Sequence, residues 1–212
     1  KDNGINHPER KERLENILSS IKKIKDFEIN FKVAPLANEE VISLVHPKKY
    51  IEKIFSNIPK SGLIGVEKEP YADTMLCSNS KNAILRSSGA GIAAADDLIL
   101  TNERIFCAIR PPGHHAETTK AMGFCFVNNV AVTAKYLQKK YNIKKIAIID
   151  FDVHHGNGTQ EIFYNDKTIL YASSHEFPLF PGTGSEQETG VGNIFNAPLK
   201  NGMEGKEFLK IF

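Results

Sequence analysis

The strongest signal for the fold is the stretch KIAIIDFDVHHGNG, residues Lys145–Gly158. Its first half, Lys145–Phe151, is an isoleucine-rich run with the length of a buried strand, and its second half is a polar loop. The flanking segments alternate in character: helices are predicted over Phe126–Tyr141 and Thr159–Tyr164, and further strands over Arg104–Ile109 and Lys167–Ala172. Such alternation is typical of an α/β fold, with a mainly parallel sheet between helices on both faces.

The first half of the chain is predicted to be largely helical. After Pro8, apolar residues from Leu14 to Ile24 recur at spacings of three and four, which is the pattern of an amphipathic helix. The other predicted elements are a short helix capped by Asn38, a helix opened by Pro47, a surface loop over residues 61–73 and a long helix from Ser80.

The composition is that of an ordinary globular protein, with 27 Lys and Arg against 25 Asp and Glu and a formal net charge of +2. Because these charges nearly balance, no basic field indicates direct nucleic-acid binding. No apolar run approaches the roughly 20 residues that a membrane-spanning helix needs. The three cysteines form no Cys-x-x-Cys pair, which favours a reducing compartment, so a cytoplasmic protein without a membrane partner is expected. The oligomeric state stays open.

Three loops that follow the predicted strands hold most of the residues that packing does not explain. They are Arg110–His115, Asp150–Gly158 and Ser173–Gly184, and they contain five of the seven histidines. In open α/β sheets, ligands bind outside the carboxyl ends of the strands. The functional site is therefore predicted where these loops meet.

The second loop has the residue types of a metal site. Asp150, Asp152 and His154 alternate with apolar residues, so the two-residue period of a strand predicts that all three point to one side. A carboxylate and an imidazole suit Zn²⁺, which makes Asp152 and His154 candidate ligands, and a catalytic zinc takes three protein ligands. The alternative interpretation is that the two carboxylates cap the following turn and the histidines lie on the surface.

The first loop ends in adjacent histidines, His114 and His115. Since histidine changes charge near neutral pH, the pair is predicted to supply a general base that activates a water and later protonates an amine. Phe124 and Phe180 lie beside glycine or proline turns and are predicted to line a narrow apolar slot for an aliphatic arm. Cys125 has no Cys–His signature around it and is interpreted as a packing residue.

Together these motifs resemble the zinc-dependent histone deacetylase superfamily, which includes bacterial acetoin-utilisation-type proteins and acetylpolyamine amidohydrolases. The resemblance rests on five segments in order: Asn6–Leu14, Arg110–His115, Gly123–Asn129, Asp150–Gln160 and Phe180–Gly184. It implies an arginase-like three-layer α/β fold, in which helices flank a central, mainly parallel sheet. It also implies one histone-deacetylase-like domain over residues 1–212.

The resemblance assigns a role to each residue of the predicted catalytic centre. Asp152 and His154 would be zinc ligands, and His114 and His115 would be the paired histidines beside the metal-bound water. Asp150 would be the carboxylate that holds His114.

The resemblance further implies a structural potassium ion and a substrate tunnel. The potassium ion would be held by Asp150, Asp152, Ser173 and backbone carbonyls near His154. Phe124, preceded by Gly123, and Phe180 would flank a tunnel for an acyl-lysine-like arm. Asp73 resembles the rim aspartate that binds the substrate backbone.

Two departures from the family pattern affect the expected chemistry. Asn157 stands where class I members have an aspartate, and a neutral amide leaves His115 the easier of the two histidines to keep neutral as a general base. The third zinc-ligating aspartate and the Tyr or His transition-state donor of the family lie farther along than Phe212. The chain is therefore expected to be a partial domain that lacks the first strand and the C-terminal third.

The predicted reaction is zinc-dependent hydrolysis of an N-acyl amide, which removes an acetyl group from an amine such as acetyl-lysine or acetylpolyamine. Two alternatives remain. One is a catalytically inactive, deacetylase-like binding module. The other is an arginase-like binuclear metal hydrolase, which would need additional aspartate ligands where the chain has Gly156.

Overall fold

The computed structural model describes residues 1–67 and 73–211, and within these ranges the chain forms seven helices and five strands. The helices are α1 Lys11–Ile21, α2 Glu39–Ile42, α3 Lys48–Ser56, α4 Ser80–Thr101, α5 Asn129–Tyr141, α6 Asn157–Phe163 and α7 Gly205–Ile211. The strands are β1 Ile64–Gly65, β2 Met75–Leu76, β3 Ile146–Asp150, β4 Ile169–Glu176 and β5 Ile194–Leu199. None of the helices in these ranges is both long and apolar enough to cross a membrane.

Strands β3, β4 and β5 form a parallel sheet in that order, as the alternating pattern predicts. Helix α6 lies in the connection from β3 to β4. One side of the sheet is buried against helices in a core of Ala131, Ala134, Ile148, Phe163, Ile169, Tyr171 and Ile194. Asp150, the last residue of β3, lies opposite Ser173 of β4. The loops that follow these two strands therefore start at the same edge of the sheet.

A second core joins the helical first half of the chain to α5. It is built from residues of α2, α3, α4 and α5 that include Ile42, Ile51, Ile54, Ile84, Leu85 and Val132. Two asparagine caps fix where helices begin, since the side chain of Asn38 accepts from Glu40 N at 3.0 Å and that of Asn128 from Ala131 N at 3.1 Å. The Asn128 cap explains why α5 starts three residues later than the apolar pattern predicts.

The prediction of a strand over Arg104–Ile109 is wrong. This segment is assigned to no strand, although its sequence is apolar. Ile105 and Phe106 are 42% and 68% exposed, and no described residue forms a strand ladder with them. An apolar run favours a strand only where a neighbour satisfies its backbone groups, and that partner is a property of the tertiary arrangement.

Two further differences concern short or atypical strands. The predicted loop over residues 61–73 contains β1, which pairs antiparallel with β2, and residues 68–72 lie outside the described part of the chain. Strand β5 was not predicted, because Asn196 and Pro198 interrupt its apolar residues. It forms at the edge of the sheet, where proline is tolerated.

Candidate active site

The two adjacent histidines of the first loop each have a polar partner on the sheet or on α6. The Nδ1 atom of His114 donates to Asp150 Oδ2 at 3.0 Å, at the end of β3. The Nδ1 atom of His115 lies 2.9 Å from Oδ1 of Asn157, which is in the first turn of α6. The two imidazole rings are 4.0 Å apart between centroids. The predicted meeting of the first and second loops is therefore confirmed.

The different partners give the two histidines opposite protonation tendencies. Burial disfavours charge on His114, but the hydrogen bond and the negative charge of Asp150 outweigh it and raise the pKa of His114. Burial, reinforced by the charge of His114, lowers the pKa of His115 to about 3, and the hydrogen bond to Asn157 opposes this only in part. For Asp150, burial is outweighed by the hydrogen bond and charge of His114, so its pKa is lowered. The arrangement favours one charged and one neutral imidazole.

The hydrogen bonds of Asn157 also assign the tautomer of His115. The Asn157 amide nitrogen donates to Glu117 Oε1 at 2.7 Å, so its oxygen faces His115. The Nδ1 atom of His115 therefore carries the proton and its Nε2 atom has a free lone pair. A neutral imidazole in this tautomer can accept a proton through Nε2.

Asp152 and His154 lie beyond the end of β3, so the strand alternation that was expected to orient them is absent, although Asp150 and Asp152 line the same cavity as His114. Instead, Asp150 Oδ1 accepts from Asp152 N at 3.2 Å, and Asp152 Oδ1 accepts from His154 N at 2.9 Å. These are successive turns in which a carboxylate caps the backbone two residues on. The turn capping that the alternative interpretation predicts is therefore present at both aspartates, and a carboxylate that caps a turn can also bind a metal. The side chains of Asp152 and His154 remain partly exposed, at 47% and 39%.

The donor set at this turn fits part of a zinc site. Asp152 Oδ1 and His154 Nδ1 are 3.3 Å apart, and carboxylate oxygen and imidazole nitrogen are ligands that Zn²⁺ takes. Across residues 1–67 and 73–211, no group of three or more His, Cys, Asp and Glu side chains has the geometry of a metal site. Asp152 and His154 are thus two side chains of the kinds that a catalytic zinc takes, where such a site uses three protein ligands.

Of the residues predicted to contact substrate, Phe180 and Gly123 lie against His115. The ring of Phe180 is edge-on to His115 at 5.1 Å and to His154 at 6.1 Å. Gly123 has φ +55°, and a Cβ there would lie 2.3 Å from His115 Cδ2, so only glycine allows this backbone to pass so close to the ring. Phe124 follows it and packs edge-on against His7 at 4.6 Å.

Asp73 is linked to Phe124 through Thr74. The Thr74 hydroxyl donates to Asp73 Oδ1 and accepts from Phe124 N, both at 3.0 Å. Asp73 is exposed, as a rim residue would be. Cys125 is fully buried, and burial raises the pKa of its thiol, which confirms its interpretation as a packing residue.

A match to the family model of the histone deacetylase domain covers residues 7–212. The chain belongs to the histone deacetylase family. It is 36% identical over 214 residues to "Probable deacetylase" of Archaeoglobus fulgidus, with 97% of the chain and 57% of that protein aligned. It is 36% identical over 219 residues to "Histone deacetylase 10, chloroplastic" of Oryza sativa subsp. japonica, with 92% of the chain and 48% of that protein aligned.

The fold matches the solved structure of the HDA15 HD domain with a TM-score of 0.79 at 33% sequence identity. The match covers 93% of this chain and 57% of the HDA15 chain. This match confirms the arginase-like α/β fold of the histone deacetylase family. The chain spans about half the length of the curated relatives named here.

Two polar side chains of this histone deacetylase site are absent from the candidates that the sequence patterns predict. Tyr171 donates its hydroxyl proton to Asp150 Oδ2 at 3.1 Å, and Glu117 holds the amide of Asn157. Tyr171 precedes Ser173 by two residues on β4, so the two-residue period of the strand was an available signal. Glu117 lies 40 residues from Asn157, and no local pattern connects them.

Proposed function

We propose that this site hydrolyses the amide bond of an acylated amine, such as acetyl-lysine or an acetylpolyamine. The observation that carries the proposal is the pair of unlike histidines, with His114 held by a carboxylate and His115 by a neutral amide. General acid–base chemistry on an amide needs one group that can accept a proton at neutral pH beside another that stabilises negative charge. Membership of the histone deacetylase family supports the same reaction class.

In the proposed mechanism, His115 takes a proton from the attacking water through Nε2 while its Nδ1–H is held by Asn157. The water oxygen forms a bond to the acyl carbon, and the carbon–nitrogen bond then breaks. His115 returns the proton to the leaving amine nitrogen. His114, whose pKa is raised by its contact with Asp150, lies beside it and stabilises the negative charge that develops on the acyl oxygen.

Asp152 and His154 would hold a zinc ion next to this pair, since the rings of His154 and His115 are 5.9 Å apart. Zinc at such a site polarises the acyl carbonyl and lowers the pKa of water. The proposed potassium ion would lie by Asp150, Asp152 and Ser173. Phe124 and Phe180 are proposed to flank the acyl arm, and Asp73 to contact the substrate backbone at the rim.

The test is an acetate-release assay on the full-length protein with an acetyl-lysine peptide and an acetylpolyamine, before and after metal removal. We expect activity that EDTA abolishes and zinc restores. Asp152→Asn should lose both zinc, measured by elemental analysis, and turnover, whereas Asp26→Asn at an exposed position serves as the matched control. Retention of stoichiometric zinc and full activity by Asp152→Asn would remove this residue from the metal site. A metal-loaded wild-type protein without turnover on either substrate would favour the binding module.

A further inference from the structure

Two buried histidines have no part in the proposed chemistry. His155 and His175 are each 1% exposed, and their rings are 4.7 Å apart between centroids. They lie beneath the loop Phe180–Gly184, which leaves the sheet after β4. Buried imidazoles are costly unless both ring nitrogens are paired, so their partners indicate what they do.

One nitrogen of each ring contacts this loop. The Nδ1 atom of His155 lies 2.8 Å from Thr183 Oγ1, and the Nε2 atom of His175 lies 2.9 Å from Gly184 O. Gly184 has φ +93°, and a Cβ there would lie 2.3 Å from His175 Nε2 and 2.6 Å from His155 Cγ. The loop backbone is thus packed directly on both rings.

The other nitrogen of each ring is held by the scaffold. The Nδ1 atom of His175 lies 2.9 Å from Ser173 Oγ on β4, and the Nε2 atom of His155 lies 3.1 Å from Gln160 Oε1 on α6. Gln160 is fixed in turn, because its amide nitrogen donates to Glu188. Each imidazole therefore bridges a regular element and the same loop.

The partners assign the direction of these hydrogen bonds. The Gly184 carbonyl can only accept, so His175 carries its proton on Nε2 and accepts from the Ser173 hydroxyl. The oxygen of Gln160 faces His155, so His155 carries its proton on Nε2 and accepts from the Thr183 hydroxyl. Replacing that hydroxyl by a methyl group would leave a buried acceptor unpaired.

The loop that the two histidines hold also carries Phe180, whose ring contacts His115 and His154. We propose that His155 and His175 are positioning residues that set the place of Phe180, and through it the width of the slot for the acyl arm. This inference rests on the proposed function, because it assigns the slot to an acylated substrate. It makes Thr183, an exposed residue outside the catalytic pair, a determinant of substrate affinity.

The test compares Thr183→Val, which keeps the shape and loses the hydroxyl, with Thr183→Ser, which keeps the hydroxyl. Hydrogen exchange of the loop amides is measured first, in the full-length protein without substrate. We expect exchange at least threefold faster in the valine variant and near wild type in the serine variant, because one net hydrogen bond is worth roughly that factor or more. Equal exchange in the two variants would overturn the positioning role.

Kinetics on acetyl-lysine peptides then test the slot. Thr183→Val should raise KM about three- to tenfold and leave kcat within twofold of wild type, since the catalytic pair is untouched. Phe180→Ala should change KM in the same direction. Faster exchange with an unchanged KM would overturn the assignment to the slot.

A second pair of variants addresses His175 in the same way. Gln at position 175 can still donate to the Gly184 carbonyl, whereas Leu cannot, so His175→Gln should preserve more of the loop protection than His175→Leu. Equal loss of protection would contradict the proposed hydrogen bond. If the wild-type protein releases no acetate, the proposed function fails together with the slot, and the exchange data still decide whether the histidines position the loop.

Discussion

Substituting Asn157 by aspartate tests why the pKa values of His114 and His115 shift in opposite directions. His114 faces a carboxylate at 3.0 Å and has a raised pKa, whereas His115 faces the amide of Asn157 at 2.9 Å and has a pKa lowered to about 3. Asn157→Asp would give both rings the same kind of partner. If the neutral amide is what keeps His115 unprotonated, its pKa must rise in this variant.

The size of the rise follows from the distance. Opposite unit charges about 4 Å apart attract by about 4 kcal/mol at an effective dielectric constant of about 20, which corresponds to about 3 pKa units. Ion pairs of this kind commonly shift a pKa by about 1–3 units. The pKa of His115 should therefore move from about 3 to about 4–6. It should stay below that of His114, because burial and the charge of His114 still oppose a second proton.

Glu117 complicates the single substitution. It accepts from the Asn157 amide nitrogen at 2.7 Å, so a carboxylate at position 157 would face a second carboxylate. Two carboxylates at this distance share a proton, and the shared proton would weaken the effect on His115. Combining Asn157→Asp with Glu117→Gln reverses the hydrogen bond, because the glutamine amide at position 117 donates to the new carboxylate, which stays ionised. The double variant should show the larger rise.

The assay is an NMR titration of the histidine ring protons in metal-free protein, with Glu117→Gln alone as the control. A pKa of His115 within half a unit of wild type in the double variant would refute the argument that Asn157 keeps this ring neutral. In the active protein, a base with a raised pKa is protonated over more of the acidic range. The acid limb of the kcat/KM profile should then move to higher pH.

Three other outcomes are expected. His115→Ala should lower kcat about a hundredfold or more with little change in KM, since a general base contributes about 10²–10⁴-fold. His114→Ala should lower kcat by less. Steady-state kinetics that show the larger loss in His114→Ala would reverse the roles of the two histidines. His46 is fully buried, and burial lowers its pKa from 6.5 to about 4. Between these pH values the unfolded state binds a proton on His46 that the folded state does not. The free energy of unfolding should therefore fall as the pH drops from 6.5 towards 4, by at most about 3 kcal/mol. Urea unfolding at pH 7 and pH 4.5 should show a smaller pH dependence for His46→Gln than for wild type, and equal dependence would contradict this assignment. Gly184→Ala should lower the free energy of unfolding in urea by about 2–4 kcal/mol, because its Cβ would lie 2.3 Å from the buried ring of His175. The control Gly182→Ala should lower it by about 1 kcal/mol, since Gly182 also has a positive φ, +85°, but a Cβ there meets no atom within 4 Å. Similar losses in the two variants would contradict the close packing at Gly184.

Features that depend on neighbours in the chain could be read from the residues alone. The apolar runs of β3 and β4 predicted parallel strands, and Asn38, as predicted, begins a helix, because its side chain satisfies a backbone N–H two residues on. The loops that follow β3 and β4 were found for a related reason, because polar residues after buried parallel strands lie at one edge of the sheet. Asp150 and Ser173 obey this rule, since they are paired on the parallel strands β3 and β4, whereas His114 directly follows no described strand and reaches Asp150 across 36 positions through the tertiary fold.

Structural features that depend on a partner far away in the sequence could be identified only in the tertiary structure. The run Arg104–Ile109 has the composition of a strand and no ladder partner among the described residues, while β5 has a proline and forms because β4 offers it an edge. The ion pair of buried Glu9 with Arg110 joins residues 101 positions apart, and the hydrogen bond between Thr183 and His155 spans 28 positions. Hydrogen bonds and burial depend on which groups meet in space, and a one-dimensional pattern carries that information only where secondary structure brings near neighbours together.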